Sequence, residues 1–301
     1  MGHISEFFGY PATDQSDIAK KAAEDEFCHY LGSTCIKTLN DGRVAGACTL
    51  KPATSGPVIC CPIRLYAEDY KILRDIADRA FTPGLQLVKG AEARAQATKM
   101  GTPVVGVFGQ RWGGELRLPK REGVGSYFVD WVLALVEPDT GLKEFVAVEV
   151  QTIDTTGNYH PSRDALLSDD RTIVNSTAGL NWENVNKRIL PQLIYKGQVL
   201  QREEACAKGL FFVCPTPVYN KIMGRLGGEN GLTSMHLQPG SITFMAYDYD
   251  PEVPAAPGTS MPLRLEVQRT TSVWKLQDRF NNVDLPDANV YRKAIEQALS
   301  N

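Results

Sequence analysis

Two β-rich runs, residues 127–136 and 143–152, lie on either side of the turn sequence Pro138-Asp139-Thr140-Gly141. Short runs of β-branched and aromatic residues around such a turn predict a β-hairpin. With the loop placed at residues 138–141, Glu137 pairs with Leu142. This hairpin restricts the fold more than any other feature of the sequence, because its register fixes which side chains share a face.

The predicted register makes Asp130 and Glu149 direct cross-strand neighbours. Gln151 lies on the same face as Glu149, because side chains alternate along a strand, and valines form the opposite face. Two like charges in this position are destabilising unless something compensates them. Mg²⁺ would do so, since it binds one or two carboxylates and leaves its other positions to water and substrate phosphate. The alternative is an exposed polar face without a metal.

Helical and strand-like segments alternate along the rest of the chain. Helical periodicity begins at Asp69, and a long amphipathic helix is predicted over residues 182–207 with a kink at Pro191. Strands are predicted at residues 103–108, 210–214, 241–247 and 263–268, and helices at 271–280 and 289–299. This interleaving predicts an α/β fold with a mixed sheet flanked by helices.

Five of the seven cysteines lie between positions 28 and 61, in a segment rich in turn-forming residues. A tetrahedral Cys₄ site needs four thiolates from separate turns. Cys60 and Cys61 are adjacent and point apart, so only one of them is expected to bind. We choose Cys61, which is followed by Pro62, so that the predicted ligands are Cys28, Cys35, Cys48 and Cys61. Four thiolates hold zinc or iron about equally well. The alternative interpretation is a set of small buried side chains, which is also the interpretation for Cys206 and Cys214.

Charge is unevenly distributed along the chain, although the formal net charge is only −3. Residues 71–121 carry ten basic side chains against four acidic ones. Such a stretch is either a contact surface for a phosphate backbone or an ordinary solvated face. The sequence has no apolar stretch long enough to span a membrane. The lack of a signal peptide and the many cysteines predict a cytoplasmic protein.

Several short motifs, taken in order, resemble NotI-type restriction endonucleases. They extend over roughly residues 4–200: Ile4-Ser5-Glu6-Phe7-Phe8-Gly9, Cys61-Pro62, Gly113-Gly114-Glu115-Leu116, Asp130-Trp131, Glu149-Val150-Gln151-Thr152 and Asn184-Val185-Asn186-Lys187-Arg188.

The resemblance implies a PD-(D/E)xK nuclease fold, a homodimer and a bacterial host. It also implies Mg²⁺-dependent cutting of both strands of double-stranded DNA at a GC-rich palindrome with a GGCC centre. Asp130, Glu149 and Gln151 match the catalytic positions, with Gln151 in place of the motif lysine. The four cysteines match an iron site, and Glu115 matches a further family glutamate.

Guanine offers acceptors in the major groove that arginine and lysine recognise, and acidic side chains accept hydrogen bonds from cytosine. The segments after the catalytic strand supply such groups. The predicted DNA-binding residues are Asn158, His160, Arg163, Asp164, Asn184, Asn186, Lys187 and Arg188.

The sequence therefore predicts a Type II restriction endonuclease that leaves 5′-phosphate and 3′-hydroxyl ends. Residues 1–66 form a small N-terminal Cys₄ metal-binding subdomain, and residues 67–301 form the catalytic and DNA-recognition domain. Asp130 and Glu149 hold Mg²⁺, while Gln151 orients the attacking water. One alternative is a DNA-binding protein without catalysis, with a structural Cys₄ site. A more distant one is a metal-dependent hydrolase of small phosphoesters.

Overall fold

The computed structural model describes residues 2–110, 112, 114, 116, 128–282 and 287–300 of the chain. Its strands are β1 (Gly2–Phe7), β2 (Tyr10–Pro11), β3 (Phe27–Cys28), β4 (Ser33–Thr34), β5 (Ala47–Pro52), β6 (Val58–Ile59), β7 (Leu87–Lys89), β8 (Val104–Gly109), β9 (Trp131–Glu137), β10 (Gly141–Val150), β11 (Thr155–Thr156), β12 (Gly179–Leu180), β13 (Leu210–Pro215), β14 (Ser241–Tyr249) and β15 (Leu263–Ser272). The α-helices are α1 (Asp17–Glu24), α2 (Ala67–Ala80), α3 (Ala93–Met100), α4 (His160–Leu167), α5 (Leu190–Leu200), α6 (Thr216–Arg225), α7 (Val273–Asn281) and α8 (Val290–Leu299). Short 3₁₀ helices lie at Pro62–Tyr66, Gly90–Glu92 and Glu229–Gly231, and a π-helix at Val185–Ile189 precedes α5.

The larger of the two main sheets has the strand order β15-β14-β13-β10-β9-β8-β7. β13 runs parallel to both of its neighbours, whereas β9 is antiparallel to β8 and β10. All six residues of β13 are buried, as expected for a strand covered on both faces. The predicted mixed sheet flanked by helices is confirmed.

Alternation along the strands divides the core between the two faces of this sheet. Val146, Val148 and Val150 of β10 pack with residues of α2 on one face. Ala147 packs with residues of α5, α6 and α7 on the other face. Because Glu149 alternates with Val148 and Val150, it lies on the face that α5 covers.

A second sheet near the N-terminus has the strand order β2-β1-β5-β6. Its core contains Ile4, Phe7 and Phe8, and α4 packs against the same cluster through Leu166. The amide of Ile4 donates a 3.0 Å hydrogen bond to Ser162 Oγ of α4. The N-terminal sheet thus packs with a segment that lies beyond the boundary predicted at residue 66.

The hairpin has a tighter loop than the sequence predicts. Glu137 pairs with Gly141 and Val136 with Leu142, one residue out of the predicted register. A bulge between Leu142 and Glu144 then absorbs one residue of β10. From Glu144 to Val148 every residue has its predicted partner, so the face assigned to Glu149 is confirmed although the loop was wrong.

The helical segment predicted over residues 182–207 is shorter and irregular. It starts as the π-helix and continues as α5, which ends at Leu200. Pro191 lies in the first turn of α5, where its missing N–H costs least. None of the described helices is long and apolar enough to cross a membrane.

Candidate active site and cysteine cluster

Asp130 lies directly before β9, where the hairpin ladder ends. The backbone N–H of Val150 donates a 2.7 Å hydrogen bond to Asp130 Oδ2. This bond replaces the next backbone hydrogen bond between β9 and β10, and it holds the carboxylate at the end of β10. Asp130 therefore lies close to the end of the strand that carries Glu149 and Gln151, as the sequence predicts.

Glu149 is buried, with only 4% of the residue exposed. Its Oε1 accepts two hydrogen bonds, one from Gln151 Nε2 at 3.1 Å and one from Lys196 Nζ at 2.6 Å. Its Oε2 is buried and has no hydrogen-bond partner among the described residues. A buried carboxylate oxygen without a partner is costly, so Oε2 is suited to a ligand that the chain itself does not supply.

An open cleft of about 710 Å³ lies beside these residues. Asp130 and Gln151 line it from the hairpin, and Lys37 and Cys61 line it from the cysteine-rich segment. Arg188, from the π-helix, lines it as well. The cleft thus joins the two parts of the chain to which the sequence assigns chemistry.

Tyr66 belongs to an aromatic wall of this cleft that the sequence analysis missed. Its hydroxyl accepts a 3.1 Å hydrogen bond from Trp131 Nε1, and its ring lies 5.4 Å from that of Tyr70. Burial, and then the charge of Asp130, raise the pKa of Tyr66 above its usual value. The Tyr66 hydroxyl therefore stays neutral near the carboxylates.

Two of the predicted DNA-binding residues converge on Asp154. Asn184 Nδ2 donates to Asp154 Oδ2 at 2.6 Å, and Arg188 Nη2 lies 2.9 Å from the same oxygen. Arg188 remains about half exposed at the edge of the cleft, with 47% of its side chain accessible. Arg188 therefore lines the cleft as one partner of an ion pair with Asp154.

Asn186 and Lys187 face elsewhere. Lys187 forms an exposed ion pair with Glu183 one helical turn earlier. Asn186 lines a different groove, together with Trp182 and Lys221. The structure therefore does not bring these two residues to the cleft.

The α4 group of predicted DNA-binding residues lies against the N-terminal part of the chain. Arg163 is buried, and its guanidinium donates to Val44 O at 2.8 Å and to Glu26 Oε1 at 3.1 Å. Asn158 Oδ1 accepts a 2.8 Å bond from the amide of His160 and so starts α4. His160 and Asp164 both contact Arg43, and His160 also lies 3.7 Å from Asp41.

Glu115, which matches a family glutamate, lies outside the residues that the structure describes, as do Gly113 and four basic residues of the stretch 71–121. Their predicted roles stay predictions.

The four predicted metal-ligating cysteines line one small internal cavity of about 10 Å³. They are Cys28, Cys35, Cys48 and Cys61. Burial raises the pKa of Cys48 well above its usual value and that of Cys61 to about 12, so both are protonated thiols near neutral pH. Within residues 2–110 and the other described ranges, however, no three His, Cys, Asp or Glu side chains have the spacing of a metal site. The thiols are gathered but not arranged as ligands.

Cys60 lies outside this cavity, as predicted. Its thiol donates to Cys48 O at 3.5 Å and approaches Lys37 Nζ at 3.8 Å. The side chain packs with the core of the N-terminal sheet.

Lys196 is the partner of Glu149, a role that the sequence analysis did not assign to it. The sequence does contain a signal for it. Ile189 and Leu193 are buried on α5 and the turn before it, and Lys196 follows at the next position of the same helical stripe. A lysine in an apolar stripe indicates a buried partner of opposite charge.

Comparison of the chain with models of known protein families and with characterised proteins gives no match.

Proposed function

We propose that this protein is a Type II restriction endonuclease with a PD-(D/E)xK catalytic centre, which cuts both strands of a GC-rich palindrome. The observation that carries the proposal is the buried Glu149 carboxylate, whose Oε2 has no partner among the described residues. Gln151, which donates a hydrogen bond to Glu149 Oε1, lines an open cleft together with Asp130.

The residues present fit a divalent cation. Mg²⁺ prefers carboxylate oxygens and needs only one or two of them from the protein. Asp130 and Glu149 would hold it, and Glu149 Oε2 is a buried acceptor of the right chemistry. When bound, Mg²⁺ would polarise a phosphoryl oxygen and lower the pKa of a water molecule.

The chain's own groups perform the remaining tasks. Asp130 is kept in place by the Val150 amide, and the Gln151 amide is available to orient the attacking water. Arg188, at the edge of the cleft, would position a phosphate of the DNA backbone. In-line attack of water on the phosphorus would break the P–O3′ bond. The O3′ leaving group would take up a proton, which gives 5′-phosphate and 3′-hydroxyl ends.

The wider proposal follows from the resemblance. A palindromic site suits a homodimer, because two-fold symmetry in the DNA matches two-fold symmetry in the protein. Thiolate ligands at Cys28, Cys35, Cys48 and Cys61 would hold iron or zinc in each chain of a cytoplasmic bacterial enzyme. Closing of the thiols around the ion would turn the small cavity into a structural site.

The alternative is a DNA-binding protein without catalysis. The Glu149–Lys196 contact favours it, since a buried ion pair can be purely structural. In that case the hairpin carboxylates only maintain the fold, and the protein shifts DNA in a gel without cutting it.

Plasmid cleavage with Mg²⁺ tests the proposal. Wild-type protein is expected to give discrete fragments. Asp130→Ala and Glu149→Ala are expected to abolish cleavage, because each removes a ligand of the metal. Both variants are expected to retain specific DNA binding, because the lost carboxylate no longer repels phosphate. Glu144→Ala is the matched control, since Glu144 lies on the same strand and also pairs with a lysine, Lys208. A Glu149→Ala or Asp130→Ala protein that cuts within tenfold of wild type contradicts the assignment. A gel shift without any cutting supports the alternative.

A further inference from the structure

The contact between Lys196 and Glu149 joins α5 to the end of β10. The ammonium lies 2.6 Å from Glu149 Oε1, and the two side chains are only 12% and 5% exposed. The two residues are far apart in the sequence, so only the folded chain brings them together. This pair is the most deeply buried lysine–carboxylate pair among the described residues.

The packing of α5 determines which side of the helix faces the sheet. Gly197, the next residue, has no side chain, and α5 therefore approaches α7 closely. A Cβ at Gly197 would lie 2.9 Å from Val273 Cγ2. Leu193, one turn before Lys196, is buried in the core. From this buried side of α5 the Lys196 side chain reaches Glu149 of the sheet.

A purely structural ion pair would be expected to satisfy both carboxylate oxygens. Here Lys196 and Gln151 donate to the same oxygen, Oε1, and Oε2 has no partner in the described part of the chain. Lys208 and Glu144, another lysine–glutamate pair that involves β10, are more exposed, at 29% and 17%, and contribute no such orphaned atom. The arrangement at Glu149 holds one oxygen and leaves the other for a ligand.

Charge is also uneven at this site. Asp130 and Glu149 are both acidic, and Gln151, which takes the place of the motif lysine, is neutral. Without Lys196 the pair of carboxylates would oppose the approach of a phosphodiester, since like charges in a poorly solvated site repel strongly.

We propose that Lys196 is a positioning residue of the nuclease site, which supplies from α5 the positive charge that Gln151 does not provide. It fixes Glu149 through Oε1, leaves Oε2 to the ligand, and balances one of the two negative charges so that the DNA phosphate can approach. This inference rests on the proposed nuclease function.

The test compares Lys196→Met and Lys196→Gln with a charge relocation, in which Lys196→Gln is combined with Gln151→Lys. Single-turnover cleavage with Mg²⁺ and DNA affinity without metal are measured on a duplex that spans the mapped cut. Lys196→Met is expected to cut at least 100-fold more slowly and to bind metal-free DNA about fivefold more weakly. Lys208→Met is the matched control and stays within twofold of wild type in both measurements.

The relocated lysine distinguishes a charge effect from a packing effect. It is expected to restore cleavage to within tenfold of wild type, because one ammonium again reaches Glu149. A folded relocation variant that cuts no faster than Lys196→Gln overturns the inference, and so does a Lys196→Met protein within threefold of wild type. If Lys196→Met shows no cooperative unfolding transition, it is not properly folded, and the relocation variant alone then decides the outcome. Failure of the wild-type protein to cut DNA would instead reject the proposed function.

Discussion

Cys60 and Cys61 are adjacent in the chain but lie in different surroundings. The Cys61 side chain lines the cavity shared with Cys28, Cys35 and Cys48. Cys60 donates to backbone carbonyls of β5 and packs in the core of the N-terminal sheet. Neighbouring residues in extended backbone point in opposite directions, and only one of the two can join the cluster.

We therefore predict that Cys61→Ser loses a bound transition metal and that Cys60→Ser keeps it. Protein purified without chelator should contain about one equivalent of iron or zinc per chain, and Cys48→Ser should lose metal and stability together. Elemental analysis and thermal unfolding of the same preparations measure both effects.

Two results would contradict this prediction. One is a fully active preparation that contains no transition metal. The other is loss of metal from Cys60→Ser but not from Cys61→Ser, which would reverse the choice within the adjacent pair.

The relation between Asp130 and Glu149 can be predicted from sequence because it depends on one hairpin. The contact between Lys196 and Glu149 depends on how α5 packs across the sheet, and no local pattern determines that placement. The same limit applies to Arg163. Its position beside other polar residues predicted a DNA contact, whereas tertiary packing gives it acceptors within the protein.

At the level of elements, the β10 bulge shows how a local error can leave a functional prediction intact. The loop is one residue shorter than predicted, which alone would reverse the face of every side chain on β10. The bulge between Leu142 and Glu144 restores the pairing, and Glu149 lies on its predicted face. The core favours this outcome, because Val146, Val148 and Val150 must face α2.

Arg163 is one of the residues that attach helix α4 to the N-terminal part of the chain. The side chain is 5% exposed and spans from α4 to Val44 and Glu26. Loss of a hydrogen-bonded charged group from such a site leaves its partners unsatisfied.

We expect Arg163→Met to lower the free energy of unfolding by about 2 kcal/mol and to leave DNA affinity nearly unchanged once the protein is folded. Arg188→Met is the matched variant, with the opposite expectation, because Arg188 lines the cleft and is half exposed. Urea unfolding and a DNA-binding titration separate the two. A stable Arg163→Met protein that no longer binds DNA would support the original prediction of a DNA contact.

At the scale of the whole molecule, a buried polar network joins the two sheets. Glu6 of β1 accepts hydrogen bonds from Arg64 Nε at 2.8 and 2.9 Å, from Tyr30 at 2.8 Å and from Tyr249 of β14 at 2.9 Å. Glu6 and Arg64 are fully buried. Removing one partner of a buried charge pair costs far more than the pair itself contributes. The N-terminal sheet and the large sheet should therefore unfold together.

Asp14 provides a second connection between distant parts of the chain. Its Oδ1 accepts from the Ser16 amide and its Oδ2 from the Gly258 amide, both at 2.8 Å. Burial raises the pKa of Asp14, but these hydrogen bonds and the charge of Arg171 outweigh burial and hold it below the ordinary value of 3.8. The carboxylate form is thus favoured in the folded protein.

This shift predicts a dependence of stability on pH. Because the folded pKa is lower than the unfolded one, the stabilisation by Asp14 is fully present above about pH 4 and is lost as pH falls through the folded pKa. Wild type should be more stable than Asp14→Asn at pH 7, and the difference should shrink at pH 3 and below. Urea unfolding of both proteins across this range measures it, with exposed Asp169→Asn as the control. The prediction is contradicted if wild type and Asp14→Asn differ in their free energy of unfolding by the same amount at pH 7 and at pH 2. The hydrogen bonds from the two amides would then not depend on the charge of Asp14.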